Sequence, residues 1–132
     1  MALLFPFEAV TGDIIVRVAV SYLADQSAPA QGRWFWSYHV RIENCGGTTV
    51  QLLARHWKIS DGHGGVHEVK GQGVVGDMPL IGPGESYDYV SGCPLETPSG
   101  QMEGSYSMID GHGNPLEVAI PQFHLLAPSQ TH

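Results

Sequence analysis

Hydrophobic and polar residues alternate along most of this chain, with the period of two that marks a β-strand. In residues 14–22 (IIVRVAVSY), Val16, Val18, Val20 and Tyr22 share one face, and Arg17 and Ser21 share the other. The alternation is cleanest in 34–44 (WFWSYHVRIEN). There Trp34, Trp36, Tyr38, Val40 and Ile42 line one face, while Phe35, Ser37, His39, Arg41 and Glu43 line the other. β-branched and aromatic residues at this period predict strands. Residues 49–60 (TVQLLARHWKIS) predict a third strand whose phase slips. Val50 and Leu52 fall on one face and Leu53, Trp57 and Ile59 on the other, as a bulge would produce. Shorter strands are predicted at 65–70, 85–90, 102–109 and 115–125, the last bent or placed at an edge by Pro121.

Turn chemistry separates these segments. Cys45-Gly46-Gly47-Thr48 predicts a hairpin turn. Asp61-Gly62-His63-Gly64 and Asp110-Gly111-His112-Gly113 predict tight turns in which the aspartate bonds its own backbone. Pro83-Gly84 suits the central positions of a type II turn. Loops are predicted at 23–33 and 91–101, and a Gly/Pro-rich connection at 71–84. Short strands at regular spacing with no helical periodicity predict an all-β chain, an immunoglobulin/fibronectin-III-like β-sandwich of about seven antiparallel strands. At 132 residues it is read as a single domain, 1–132, with its core at about 12–128. Alternating strand direction places the 45–48 and 110–113 turns and the 71–84 connection at one pole. The 61–64 turn then lies at the other.

Charge narrows the function classes. Six basic and thirteen acidic residues give a net charge of −7, which disfavours nucleic acid and anionic membrane as partners. Nothing is long and apolar enough for a membrane span. The ALLFPF run at 2–7 is short for a signal-peptide core and has no preceding Lys or Arg, so a cytoplasmic location is expected. Cys45 and Cys93 are expected in turns at opposite poles, too far apart to bond.

Three groups of residues are candidates for chemistry. GQGVVG (71–76) matches the GxGxxG spacing of dinucleotide sites, where glycines open a helix that receives a pyrophosphate. Here two prolines and two further glycines at 77–84 forbid that helix, so a compact loop is expected, with Val74 or Val75 plugging the end of the core. Asp61, His63 and His67 are candidate metal ligands, as are Asp110 and His112 in the matching turn. The polar arrangement favours tight turns over a metal site, and no cofactor is expected. Trp34, Trp36, Tyr38 and Trp57 are read as core packing rather than a ligand cage, and Phe35 to Glu43 as a solvated outer face rather than a docking surface. Nucleophile-elbow, zinc-protease and Cys-x-x-Cys motifs are absent, so a non-enzyme is expected.

The segments LLARHWKISDGHGG (52–65), EVKGQGVVGDMPLIGPGESYDYVSGCPLETPSGQMEGSYSM (68–108) and IPQFHLLAP (120–128), with the DQSAP run in loop 23–33, resemble the bacterial ApaG family over about residues 12–128. The resemblance implies a fibronectin-III-like sandwich and gene association with diadenosine-tetraphosphate hydrolysis. It also implies cobalt-resistance and magnesium-efflux phenotypes. Related domains fused to F-box proteins and to a polymerase-delta-interacting protein imply a protein-binding role. The family's glycine string falls on Gly71, Gly73 and Gly76. Efflux by this chain itself is excluded by the lack of a span. The expected function is therefore a non-catalytic module that binds another protein. Its contact surface is centred on Gly71, Gly73, Val74, Val75 and Gly76. The alternative is a regulator that binds divalent metal or a nucleotide polyphosphate. Exposed strand edges also allow a homodimer.

Overall fold

The computed structural model describes residues 4–128. The start of the ALLFPF run and both ends of the expected 1–132 domain lie outside the described residues. Nine strands follow in order: β1 (Phe7–Thr11), β2 (Ile14–Tyr22), β3 (Trp34–Asn44), β4 (Val50–Asp61), β5 (Val66–Gln72), β6 (Leu80–Ile81), β7 (Ser86–Leu95), β8 (Ser99–Asp110) and β9 (Pro115–Leu126). All pairings are antiparallel, in one sheet ordered β1-β2-β3-β7 and a second ordered β5-β4-β8-β9, with β6 added to β4. The two sheets pack face to face as a β-sandwich, as the alternation predicts.

The alternating patterns set which residues face inward. Val16 and Val18 of β2, with Trp36, Val40 and Ile42 of β3, are almost wholly buried, while Arg17, Arg41 and Glu43 lie outside. Outward-facing charges pair across the strands. Arg41 Nε donates to Asp88 Oδ1 at 2.8 Å, and Arg17 bridges Glu8 and Glu43. On the second sheet, the predicted phase slip is a bulge. Leu52 pairs with Met108 and Ala54 with Ser107, so Leu53 is the extra residue. The slip turns Leu52 and Trp57 to the same, inner face, where both are buried. Trp57 is the centre of the aromatic core: Tyr38 packs edge-on at 5.3 Å between ring centroids, and Phe123 and Tyr106 flank it at 6.0 and 6.5 Å.

Several boundaries differ from the sequence reading. β1 was not expected, and β6 is an extra strand within the 71–84 connection, whose length leaves room for one. β1 is short, and β6 has only two residues, too few to show a period. Residues 91–101 are not a loop. β7 runs on to Leu95 and β8 starts at Ser99, leaving only 96–98 as a turn. Gly92 and Pro94 suggested a loop, but β7 is the edge of its sheet, where a missing amide donor is tolerated. Cys93 therefore lies on a strand and is buried, not in a turn, and burial pushes its thiol up to about 11. Cys93 pairs with Trp36 at one end of β3 and Cys45 follows the other end, so the two thiols lie at opposite poles and are free. Pro121 does both things expected of it. β9 is an edge strand, and its register against β8 shifts between Ile120 and Phe123. Loop 23–33 contains two single 3₁₀ turns, Ala24–Gln26 and Pro29–Gln31.

One buried polar contact spans the two sheets. The hydroxyls of Tyr89 on β7 and Tyr106 on β8 hydrogen-bond to each other. Neither has another recorded partner, and burial raises both phenols well above their ordinary range. Removing one hydroxyl strands the other, which costs roughly 1–3 kcal/mol, whereas removing both removes the need for a bond. We expect Tyr106→Phe to lower the urea midpoint clearly and the Tyr89→Phe/Tyr106→Phe double variant to recover most of the loss. Additive losses in the two single variants would show that the hydroxyls do not depend on each other.

Candidate functional site

The strand directions sort the turns into two poles. The 45–49 turn, the β6–β7 turn at 82–85 and the 111–114 turn share one pole; the 23–33 loop, the 62–65 turn and residues 96–98 share the other. His63 and His112 are therefore at opposite ends of the molecule. Both Asp-Gly-His-Gly segments are tight turns of one design. Asp61 Oδ1 accepts the amides of His63 and Gly65 at 2.8 and 2.9 Å, and Asp110 Oδ1 accepts those of His112 and Asn114 at 2.9 Å each. Gly64 and Gly113 supply the positive φ (86° and 82°). These amides hold both carboxyls below their ordinary range, chiefly through Gly65 and Asn114 respectively. His67 lies on β5. Among the described residues, no three His, Cys, Asp or Glu side chains converge to hold a metal ion.

The GQGVVG segment divides between two structures. Gly71 and Gln72 end β5, and Gly73, Val74, Val75 and Gly76 form the tight connection towards β6. Val74 is fully buried and plugs the sandwich, whereas Val75 is 67% exposed. Val75 also has a φ of 49°, the only non-glycine residue in the left-handed region among those described. β-branched side chains are strained there. A side chain at Gly73 (φ 61°) would strike the Asp77 carbonyl. Three of the loop amides are spent inside the protein: Gly73 N–H donates to Leu53 O, Val74 N–H to Asp77 O and Asp77 N–H to Val74 O, at 2.8 to 2.9 Å. A phosphate cradle needs several such donors facing outward. The connection leads to the two-residue β6 and a Pro-Gly turn, with no helix.

Side chains fix this connection in place. Arg55 Nη1 donates to the carbonyls of Gln72 (3.0 Å) and Gly73 (2.9 Å), Gln51 Nε2 to Met78 O (3.1 Å), and Tyr87 Oη to Asp77 Oδ2 (3.2 Å). At the adjoining pole, buried Asn44 donates through Nδ2 to the carbonyls of Thr48 (2.7 Å) and Ile81 (2.9 Å), and its Oδ1 accepts Gly46 N–H. Three apolar side chains stay uncovered on the connection: Val75, Met78 (47% exposed) and Leu80 (68%). Between the neighbouring turns, a cavity of about 430 Å³ carries Asp13, Asp110 and Glu117 in its lining.

Arg55 and Asn44 are the residues that sequence reading missed. The signal for Arg55 was present: it shares parity with Trp57 and Ile59, so after the bulge it points inward, where a charge is unexpected. Asn44 carried a signal too, since it continues the inward parity of Trp36, Tyr38, Val40 and Ile42, but an Asn at a strand end beside Cys45-Gly46-Gly47 reads as a solvated turn residue.

Two antiparallel sheets with a filled core, and no α-helix among the described residues, define an immunoglobulin/fibronectin-III-like β-sandwich. The family model of the ApaG domain matches residues 24–110, and the chain belongs to the ApaG family. It is 53% identical to Protein ApaG of Caulobacter vibrioides over 122 residues, which is 92% of this chain and 87% of that one. Its identity to Protein ApaG of Rhodospirillum centenum is 52%, over 92% and 94% of the two chains. The solved structure of the ApaA protein of Bordetella pertussis superposes with a TM-score of 0.86 at 46% identity, covering 89% of this chain and 96% of that one.

The two aspartate turns carry an acid signature. Their carboxyls titrate lower in the folded chain than in the unfolded one, so their contribution is present above the unfolded value of about 4 and is lost as pH falls through the folded values. Asn retains the accepting oxygen without the charge. Asp61→Asn/Asp110→Asn should therefore keep the fold at pH 7 and flatten the fall of Tm below about pH 4. An unchanged acid limb, followed by circular dichroism, would remove the two turns as its source.

Proposed function

We propose that this protein is a non-catalytic binding module that docks another protein on the 71–84 connection and the pole beside it. One observation carries the reading: Val75 is held in a strained left-handed conformation with its side chain in water. The two-residue reversal closed by the Val74–Asp77 bonds needs positive φ at both Val75 and Gly76, but it does not need a β-branched apolar side chain at the first of them, where Asn or Gly is the usual choice. Strain of this kind clusters where a protein meets a ligand. Met78 and Leu80 extend the uncovered apolar surface, and the bonds from Arg55, Gln51 and Tyr87 hold it rigid, which limits the ordering cost of binding. Asp13, Asp110 and Glu117 nearby suit a partner that brings a basic side chain beside an apolar one. The lack of a helix after the loop, and the commitment of its Gly73, Val74 and Asp77 amides within the protein, favour this reading over nucleotide polyphosphate.

Asn tolerates the left-handed region, so Val75→Asn removes the contact while relieving strain on the order of 1 kcal/mol. Val75→Asn/Leu80→Gln should fold at least as stably as the parent chain and lose the partner captured by immobilised parent protein. Capture that survives both changes would refute this surface. Amide NMR titrations with Mg²⁺, Co²⁺, ADP and diadenosine tetraphosphate test the competing regulator: saturable shifts at 71–77, or around His63 and His112, would favour it.

A further inference from the structure

The two flanks of the sandwich are not alike. On one, β1 and β9 lie against each other and are tied by the Ala119 amide donating to Thr11 Oγ1 at 3.0 Å. On the other, β5 and β7 are the free edges of their sheets and no strand joins them. A cavity of about 400 Å³ opens between them, within the range of small-molecule sites. Its floor is the core itself: Tyr38, Trp57, Cys93 and Met102, all buried, with Val69 of β5 at the mouth.

Arg55 is the one charged side chain with a fixed place in this lining. It points inward beneath Gly71, where an added Cβ would lie 2.9 Å from the guanidinium carbon. Its Nη1 is committed to the carbonyls of Gln72 and Gly73. Among the described residues, Nε and Nη2 have no recorded acceptor, and no carboxylate lies within ion-pair distance of Arg55. Neither nitrogen is sealed from solvent. The nearest polar groups cannot supply the missing charge, because burial keeps the phenols of Tyr38, Tyr89 and Tyr106 protonated. In a chain with thirteen carboxylates, a half-buried guanidinium without one is conspicuous. Every other ion pair recorded here joins outward-facing groups on the strands.

We propose that the cleft between β5 and β7 binds a small aromatic carboxylate, its carboxyl group on the open edge of the Arg55 guanidinium and its ring between Ile59, Val69 and Pro94, above the buried Tyr38 and Trp57. A fixed guanidinium presents two donors side by side, the geometry that a carboxylate accepts. The rest of the lining is mostly apolar, with His67 at the rim and Ser91 on β7 as its other polar side chains, which suits a single anionic group on an apolar body. A polyphosphate does not suit it: Lys58 is exposed on β4, Lys70 lies outside this lining, and one guanidinium cannot offset several charges. Tyr38 and Trp57 close the bottom of the cleft as core residues, so a ligand above them is sensed at the Trp57 indole. This site is separate from the protein-docking surface, although Arg55 touches both.

The test is an amide and indole NMR titration of the whole chain with 2-naphthoate, compared with 2-naphthalenemethanol and 2-naphthylmethylamine as probes. Saturable shifts with naphthoate are expected at the Trp57 indole, the Arg55 Nε–H, Val69 and Gly92. The alcohol and the amine should bind at least about tenfold more weakly, since a charge-assisted pair is lost. Arg55→Met should weaken naphthoate by about the same factor and leave the alcohol unchanged. Because Arg55 also holds the 72–73 carbonyls, Val69→Trp provides a second variant that blocks the mouth with that latch intact. It should abolish naphthoate binding without lowering Tm. Equal binding of acid and alcohol, shifts elsewhere on the surface, or no saturable shift at millimolar naphthoate would each overturn the assignment.

Discussion

The extra residue at Leu53 is the constraint on which the rest of this molecule turns. β4 is central to its sheet, bonded to β8 on one side and to β5 and β6 on the other. In an unbroken strand, Leu52 and Trp57 would face opposite ways, since they differ by an odd number of positions. With Leu53 out of register, both enter the core, and Trp57 reaches the centre where Tyr38, Tyr106 and Phe123 meet it. Burying an indole there is among the larger single contributions available to a domain of this size. The bulge also frees the Leu53 carbonyl, which accepts the Gly73 amide and so anchors the loop that follows β5.

The same slip of phase turns Arg55 inward, and the connection at 71–84 follows from that. A guanidinium under β5 requires a glycine above it at Gly71, and its Nη1 gathers the carbonyls of Gln72 and Gly73. The chain must then reverse at once to bring Val74 into the end of the core, which demands a residue without Cβ at Gly73. The GxGxxG spacing is thus accounted for by one buried arginine, one buried valine and a tight reversal. Its resemblance to a dinucleotide fingerprint is one of spacing alone, because the fingerprint works through free amides at a helix N-terminus. Here the Gly73, Val74 and Asp77 amides are paired within the protein, and no helix follows the glycines.

Much of this was legible in the residues, for reasons that can be named. β2 and β3 have one face in the core and one in water, so their period of two is unmixed, and their boundaries match the reading. The two Asp-Gly-His-Gly turns are local structures, set by one side chain and its own backbone, and local structures are read well from short sequence. The bulge showed as a break of parity. What escaped depends on tertiary context. β7 continues through Gly92 and Pro94 because an edge strand tolerates them; the residues themselves argue for a loop. β1 and β6 are strands because partners were waiting for them, Ile14–Val18 for one and Val50–Gln51 for the other. Glycines and valines of the candidate connection were visible, but which valine is buried was not. Val74 and Val75 are chemically identical, and only the direction of the reversal separates them.

Function in such a fold has to come from what the core leaves uncovered, and here the coverage is uneven. The β1–β9 flank is drawn together by contact between the sheets, and its cavity lies only at the end where Thr11 and Asp13 face Glu117. The β5–β7 flank stays open because β5 is short and because the connection after it is drawn to the far pole by Arg55 and Val74. An open edge of this kind invites unwanted strand pairing. β5 meets that risk with His67, Glu68 and Lys70 along its seven residues, all exposed, so the edge is polar while the interior behind it is aromatic. A flank built only for stability would have been filled by a larger side chain or another strand. Instead it sets a polar rim around an arginine that lacks a carboxylate; the latch to Gln72 and Gly73 accounts for its Nη1 and leaves its other two nitrogens without a partner among the described residues.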